Sequence, residues 1–215
     1  MKTYYKKRAP VYDAVYAYPE RQEDLRYLEK YIPDQFTGLK VLEIAAGTGY
    51  WTQFIALVAE SVLATDATTE TLEQLKKRAL PDSVSTRQAD AYHLEDIPGI
   101  FSGAFAGLWL SHVPRQKYRE FILGLHSKLT PGAIVVLIDN SKAQCNRLPI
   151  THEDEFGNTY QNRALQNGQI YSVLKNFPTQ QELHEMTVDI SSDLQFEELD
   201  NFWLYRYSVK KQPGT

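Results

Sequence analysis

The spacing of apolar residues switches period at regular intervals along this chain. Residues 41–44 form an apolar run broken only by Glu43. After the small residues Ala45, Ala46, Gly47, Thr48 and Gly49, the apolar positions Trp51, Phe54, Ile55 and Val58 recur at i, i+3, i+4, i+7. That is a strand, a tight turn and a helix with one buried face. Residues 61–65 read as a second strand. Thr68 or Thr69 can cap a helix carrying Leu72, Leu75 and Ala79, with Glu70 and Glu73 in its first turn and Pro81 as its stop. Residues 84–88 make a third strand, and residues 104–110 a fourth after the loop at 90–94. Tyr118, Phe121, Ile122, Leu125 and Leu129 mark the next helix, and the wholly apolar 134–138 reads as a strand buried on both faces. Strands alternating with helices predict an α/β fold: a parallel sheet covered on both sides, with ligands in the crevice beyond the strands' carboxyl ends.

The flanks differ. Pro10 interrupts short helical patterning near the start and predicts two short pieces, with Tyr5, Tyr12 and Tyr16 on a common face. Leu25, Leu28 and Ile32 support a further helix that Pro33 ends. From 139 to 176 no long helical period appears, and Asn167 and Gly168 stand between two strand-like runs, predicting an inserted hairpin with a tight primed turn. Thr179 and Glu182 have capping-box spacing before Leu183 and Met186. Strands at 194–199 and 202–210 follow, with a frayed end at 213–215. One domain is expected: an N-terminal helical cap over 1–37, a core over 38–139, an inserted lid or hairpin over 140–178, and a closing helix and strands over 179–210.

Length and charge narrow the function. A chain of 215 residues suffices for one sizeable core. With 23 Lys+Arg against 27 Asp+Glu and no basic block, nucleic acid is an unexpected partner. No apolar segment approaches the ~20 residues of a membrane span, and residues 1–8 lack the apolar stretch of a signal peptide, so a cytoplasmic protein is expected. The single Cys145 has no partner for a disulfide or zinc cluster. Residues 152–155 offer His152 and three acids but no second histidine at ligand spacing, so no metal site is expected. Seven of the 14 tyrosines fall within residues 1–31, the one marked bias and a composition suited to closing over a partly polar ligand.

The glycine turn is the candidate site. Gly47 and Gly49 let a ligand lie against the main chain. A dinucleotide fingerprint needs a third glycine where this chain has Thr52. The stretch instead resembles motif I of the class I S-adenosylmethionine-dependent methyltransferases, with Glu43 as its acid and Ala45, Gly47 and Gly49 at its glycine positions. Asp66, Asp90 with Ala91, and Trp109 with Leu110 and His112 follow the second, third and fourth strands, where that family binds ribose, adenine and the acceptor side of the cofactor. The resemblance covers about 38–138 and 179–210, and the N-terminal tyrosines with Arg8, Ala9, Pro10 and Asp13 are similar to small-molecule methyltransferases of the quinone-biosynthesis type. The chain departs from the family at Ala45, where glycine is usual, and at Ala106, where aspartate is usual.

The resemblance implies a Rossmann-like seven-stranded sheet, mostly parallel with an antiparallel last strand. It also implies S-adenosylmethionine as cofactor, becoming S-adenosylhomocysteine, and in-line methyl transfer to oxygen, nitrogen or carbon of a small-molecule acceptor. Expected cofactor contacts are Tyr12, Glu43, Ala45, Gly47, Gly49, Asp66, Ala67, Asp90, Ala91, Trp109 and Leu110. Tyr5, His112, Arg163, Tyr171 and Lys175 are expected at the acceptor, with His112 as general base because its ordinary pKa lies near neutrality. A structural histidine bonded to a backbone carbonyl is the competing reading of His112, and solvated hairpin positions that of Arg163 and Lys175. The rival functions are an NAD(P)-dependent oxidoreductase and a non-catalytic S-adenosylmethionine-binding protein.

Overall fold

The computed structural model describes residues 2–165 and 167–210, so the expected frayed end at 213–215 lies outside the described residues. Its core strands are β1 (Lys40–Ile44), β2 (Ser61–Asp66), β3 (Val84–Gln88), β4 (Phe101–Gly107) and β5 (Leu129–Asn140). The insertion adds β6 (His152–Glu153), β7 (Thr159–Ala164) and β8 (Ile170–Leu174) as a separate three-stranded sheet, and β9 (Ser191–Glu198) and β10 (Phe202–Val209) close the chain. The main sheet has seven strands in the order β3-β2-β1-β4-β5-β10-β9. β1 to β5 pair in parallel, and β10 runs antiparallel to β5 on one side and β9 on the other. The order reverses between β1 and β4, so the loops after these strands diverge and leave a crevice at their carboxyl ends.

The central strands are apolar along their length because helices cover both faces. On one face Leu42, Ile44, Val135 and Leu137 pack with Phe121, Ile122 and Leu125 of α5 (Tyr118–His126) and with Leu183. On the other, Val41, Val136 and Ile138 pack with Leu25, Leu28 and Ile32 of α2 (Gln22–Asp34) and with Ile55 of α3 (Thr52–Ile55). Full burial of such a side chain stabilises by roughly 1.5–3 kcal/mol, so these two layers hold the scaffold on which the loops stand.

The N-terminus forms two pieces, α1 (Lys2–Arg8) and a 3-10 segment Ala9–Tyr16 with Pro10 in its first turn. The second piece is tied to the glycine loop: Thr48 Oγ1 donates to Asp13 Oδ1 at 2.5 Å, Arg78 pairs with Asp13, and the rings of Tyr16 and Tyr50 stack at 3.5 Å. The expected capping box is present at Thr179, opening α6 (Gln180–Glu185).

Several boundaries differ from the periodicity, each for a tertiary reason. Pro33 sits inside the last turn of α2 rather than ending it. α3 is a single turn because Val58 O and Glu60 N bond back to Gly38 and Leu39. α4 (Thr69–Leu75) stops before the exposed Ala79 as Arg78 turns toward Thr48 O at 2.6 Å. β4 leaves the sheet at Leu108, whose φ of +57° swings the chain outward. Leu129 opens β5 instead of closing α5. The connection of the insertion hairpin runs between Leu165 and Gln169 with Gly168 at φ +79° as its left-handed residue, a longer loop than a two-residue primed turn, which would also need Asn167 at positive φ.

Candidate active site

The loop after β1 is held open from below. Gly47 (φ +57°) donates its N–H to Asp66 Oδ2 at 3.0 Å, while Asp66 Oδ1 accepts from Thr68 N at 2.9 Å and Thr68 Oγ1 at 3.0 Å. Asp66 therefore ties the glycine loop to the start of α4. A Cβ on Gly47 would meet only Ala45 O, at 4.0 Å, so nothing but open space faces that position. Ala45 stands at φ +53°, a region that favours glycine. Beneath the loop, Glu43 is 1 % exposed and accepts from Thr52 Oγ1 at 2.7 Å. Burial pushes its carboxyl up to about 8, opposed by the Thr52 bond and assisted by the Asp66 charge.

Beyond the carboxyl ends of the central strands lies a crevice of about 920 Å³, counting its open mouth. Ala45, Gly47, Asp66, Ala67, Asp90, Ala91 and Trp109 line it, closed over by Tyr5, Tyr12 and His112. Three residues expected at the cofactor do not line it. Glu43 is buried under the loop. Gly49 faces α4, where a Cβ would strike Leu75 Cγ at 2.7 Å. Leu110, 1 % exposed, points into the core. Lining residues that the sequence did not single out are Thr65, Thr68, Thr71, Ala89, Tyr92, Gly107 and Leu108. Most are small or hydroxyl-bearing and sit at strand ends; their position just after each apolar run was the available signal.

A second compartment of about 500 Å³ adjoins the first and shares Tyr5, Tyr12, Leu108 and His112 with it. At this shared wall His112 Nδ1 lies 2.6 Å from Leu174 O, so it carries the hydrogen and Nε2 accepts the Tyr5 hydroxyl at 2.7 Å. Arg163 Nη1 donates to the same hydroxyl at 3.1 Å, and Nη2 to Gln161 Oε1 at 2.9 Å. Burial first, then the Lys175 and Arg163 charges, bring the imidazole down to about 3. The ring is therefore neutral with its lone pair engaged, and the backbone-carbonyl bond of the structural reading is present alongside its place on the wall.

Arg163 and Lys175 are not solvated hairpin residues; they are 7 % and 1 % exposed, and both line the second compartment. Lys175 Nζ donates to Asp139 Oδ1 at 2.6 Å and to Ser111 Oγ at 2.7 Å. Burial lowers the Lys175 ammonium to about 8 against the pull of Asp139. Burial alone would raise the Asp139 carboxyl, but Lys175 and further hydrogen bonds hold it below its ordinary value. Tyr171 lies outside both compartments: its hydroxyl meets Lys7 Nζ at 3.0 Å and its ring leans on Tyr4, so it braces α1 against the insertion.

A family model described as a methyltransferase domain matches residues 41–132, the stretch that supplies the glycine loop, Asp66, Asp90 and His112. The fold agrees over nearly its whole length with a DhpI–SAH complex, at a TM-score of 0.80 and 25 % identity, covering 98 % of this chain and 95 % of that one. Residues 41–132 are thus similar to a methyltransferase domain, and the whole fold to that of a protein bound to SAH. A DhpI–SAM–HEP complex superposes with a TM-score of 0.77 at 27 % identity, covering 95 % of this chain and 94 % of that one. The ubiquinone biosynthesis O-methyltransferase, mitochondrial, of Schizosaccharomyces pombe is 30 % identical over 117 residues, 53 % of this chain but only 42 % of that protein's length.

The crevice suits S-adenosylmethionine. Its wall lacks a Cβ at Gly47, and the Asp66 carboxylate and the Asp90–Ala91 turn stand at the ends of β2 and β3. The oxidoreductase alternative has no support, with Thr52 buried against Glu43 where a dinucleotide turn needs glycine. Among the described residues no group of three or more His, Cys, Asp or Glu side chains could hold a metal ion, and no helix is long and apolar enough to cross a membrane.

Proposed function

We propose that this chain is an S-adenosylmethionine-dependent methyltransferase that binds its cofactor in the larger compartment and moves the methyl group to a small molecule held in the smaller one. The observation that carries the reading is the shared wall: Tyr5, Tyr12, Leu108 and His112 face both spaces, so an acceptor in the second abuts the cofactor in the first. The cofactor supplies an electrophilic methyl group. The chain's own residues supply position, which in oriented reactions accounts for most of the acceleration. Asp66 is assigned to the ribose hydroxyls, Asp90 and Ala91 to the adenine edge, and Gly47 and Ala45 to close main-chain approach; Glu43, Gly49 and Leu110 act by shaping the loop. Tyr12 and Tyr5 exclude water from above. His112 orders the Tyr5 hydroxyl by accepting its proton in a hydrogen bond, and Arg163 fixes that hydroxyl from the other side.

The experiment is turnover with methyl-labelled S-adenosylmethionine against phenols, quinols and small acids, reading S-adenosylhomocysteine. Acceptor-dependent release that falls in Tyr5→Phe through the acceptor's KM supports the reading. Tight cofactor binding without release for any acceptor sinks it and favours the non-catalytic alternative. We also propose a cytoplasmic location, supported by the lone, unpaired Cys145; cell fractionation that finds the protein in an organelle, where the yeast relative's name places that protein, would reject it.

A further inference from the structure

The second compartment has an unusual charge. Arg8, Arg21, Arg147, Arg163 and Lys175 all line it, and no carboxylate does. Two of the five are neutralised from behind, Lys175 by Asp139 and Arg147 by Glu20. The ion pairs among the described residues leave Arg8, Arg21 and Arg163 without an acid. Their donors end on neutral acceptors: Arg21 on Val15 O and Asn140 Oδ1, Arg8 on the Tyr4 hydroxyl, Arg163 on Tyr5 and Gln161. Burying a cation without a counter-charge is costly, and Arg21 and Arg163 are only 6 % and 7 % exposed. Arg163 Nε is buried with no hydrogen-bond partner at all. Aromatic rings fix the planes of the others, with the Arg21 guanidinium 5.3 Å from the Phe202 centroid and that of Arg8 5.8 Å from the Tyr12 centroid.

We propose that the methyl acceptor is a small anion whose oxyanion group, phosphoryl-type or carboxylate, is held by Arg21 and Arg163 in this compartment. The inference rests on the second compartment being the acceptor's. Guanidinium forks match both oxyanion geometries through paired N–H donors, and the anion supplies the counter-charge that three arginines lack. The shared wall with the cofactor crevice sets the rest of the acceptor against Tyr5 and Tyr12. The positive field of the compartment is felt at His112, whose proton affinity Lys175 and Arg163 depress beyond the effect of burial.

The test is calorimetric titration of the whole protein, with and without saturating S-adenosylhomocysteine, using methylphosphonate, acetate, and the neutral acetamide and dimethyl sulfone. Saturable binding of one anion, at least tenfold tighter than either neutral compound and weakening as salt is raised, supports the proposal; methylphosphonate ahead of acetate assigns a phosphoryl-type group, and the reverse a carboxylate. Arg163→Gln should weaken anion binding at least tenfold. The better exposed Arg147→Gln, which does not threaten folding, should weaken it by a smaller factor. Both should leave S-adenosylhomocysteine affinity unchanged. Equal binding of neutral and anionic probes, or no anion binding by the wild type, overturns the proposal. Loss of S-adenosylhomocysteine binding with anion binding intact would instead count against the cofactor site, which keeps the two readings apart.

Discussion

Glu43 offers a test of how the glycine loop is supported. Its carboxyl is 1 % exposed and is pushed from an ordinary 4.5 to about 8, chiefly by burial. A folded-state pKa raised above the unfolded value gives stability that is complete below the unfolded pKa and is lost as pH rises through the folded one. The window here is therefore about pH 4.5 to 8. At about 1.4 kcal/mol per pH unit, crossing it removes on the order of 5 kcal/mol, as the unfolded chain ionises while the folded one does not. Glu43→Gln keeps the shape and an oxygen for the Thr52 hydroxyl but cannot ionise. Urea unfolding of both proteins at half-unit steps from pH 4.5 to 9 reads the difference. The variant should match the wild type at the acid end and exceed it by several kcal/mol at the alkaline end. Parallel stability curves would refute the reasoning, and would mean that the buried carboxylate is already ionised and satisfied at low pH.

Other substitutions probe neighbouring parts of the account. Ala45→Gly relieves a left-handed residue worth about 1–2 kcal/mol against about 0.4–1 kcal/mol of added freedom in the unfolded chain, so urea unfolding should show a gain of up to about 1.6 kcal/mol; a loss would show that the methyl group packs usefully. Lys175→Met strands the Asp139 carboxylate and should cost about 3–5 kcal/mol, with much of it recovered in the Lys175→Met, Asp139→Asn double variant. His112 is held neutral with a pKa near 3, a depressed value whose stabilising effect is present above its ordinary 6.5 and is lost as pH falls through 3. The pH profile of kcat should accordingly show no ionisation near 6.5 between about pH 5 and 8; a limb there that vanishes in His112→Asn would restore the general-base role.

The sheet was legible in the sequence because its central strands are covered on both faces: runs such as 134–138 have no other stable home. The capping box at Thr179 and the acids Asp66 and Asp90 were legible because each is a local device, fixed by its distance from a strand or helix end. Helix lengths were not, since α3 and α4 are cut short by partners distant in sequence, Leu39 and Thr48. Nor was the depth of Glu43, which follows from packing rather than from its neighbours. The second compartment is the least legible part. Arg8, Arg21, Asn140, Arg163 and Lys175 come from four separate segments, and only the way the insertion seats on the 110–115 turn brings them together, through Asn176 N to Ser111 O at 2.7 Å and Leu174 O to His112. Arg163 and Lys175 stood out in the sequence as acceptor candidates, but periodicity alone would leave such hairpin charges in solvent.

The central claim is that the crevice at Gly47 and Asp66 takes S-adenosylmethionine, and parallel calorimetric titration with S-adenosylmethionine, S-adenosylhomocysteine and NAD tests it most directly. The account predicts micromolar binding of the first two, none of NAD, and loss of both in Asp66→Ala, which removes the acceptor of three loop and helix hydrogen bonds as well as the proposed ribose partner. Binding of NAD alone, or S-adenosylmethionine affinity untouched by Asp66→Ala, would contradict it.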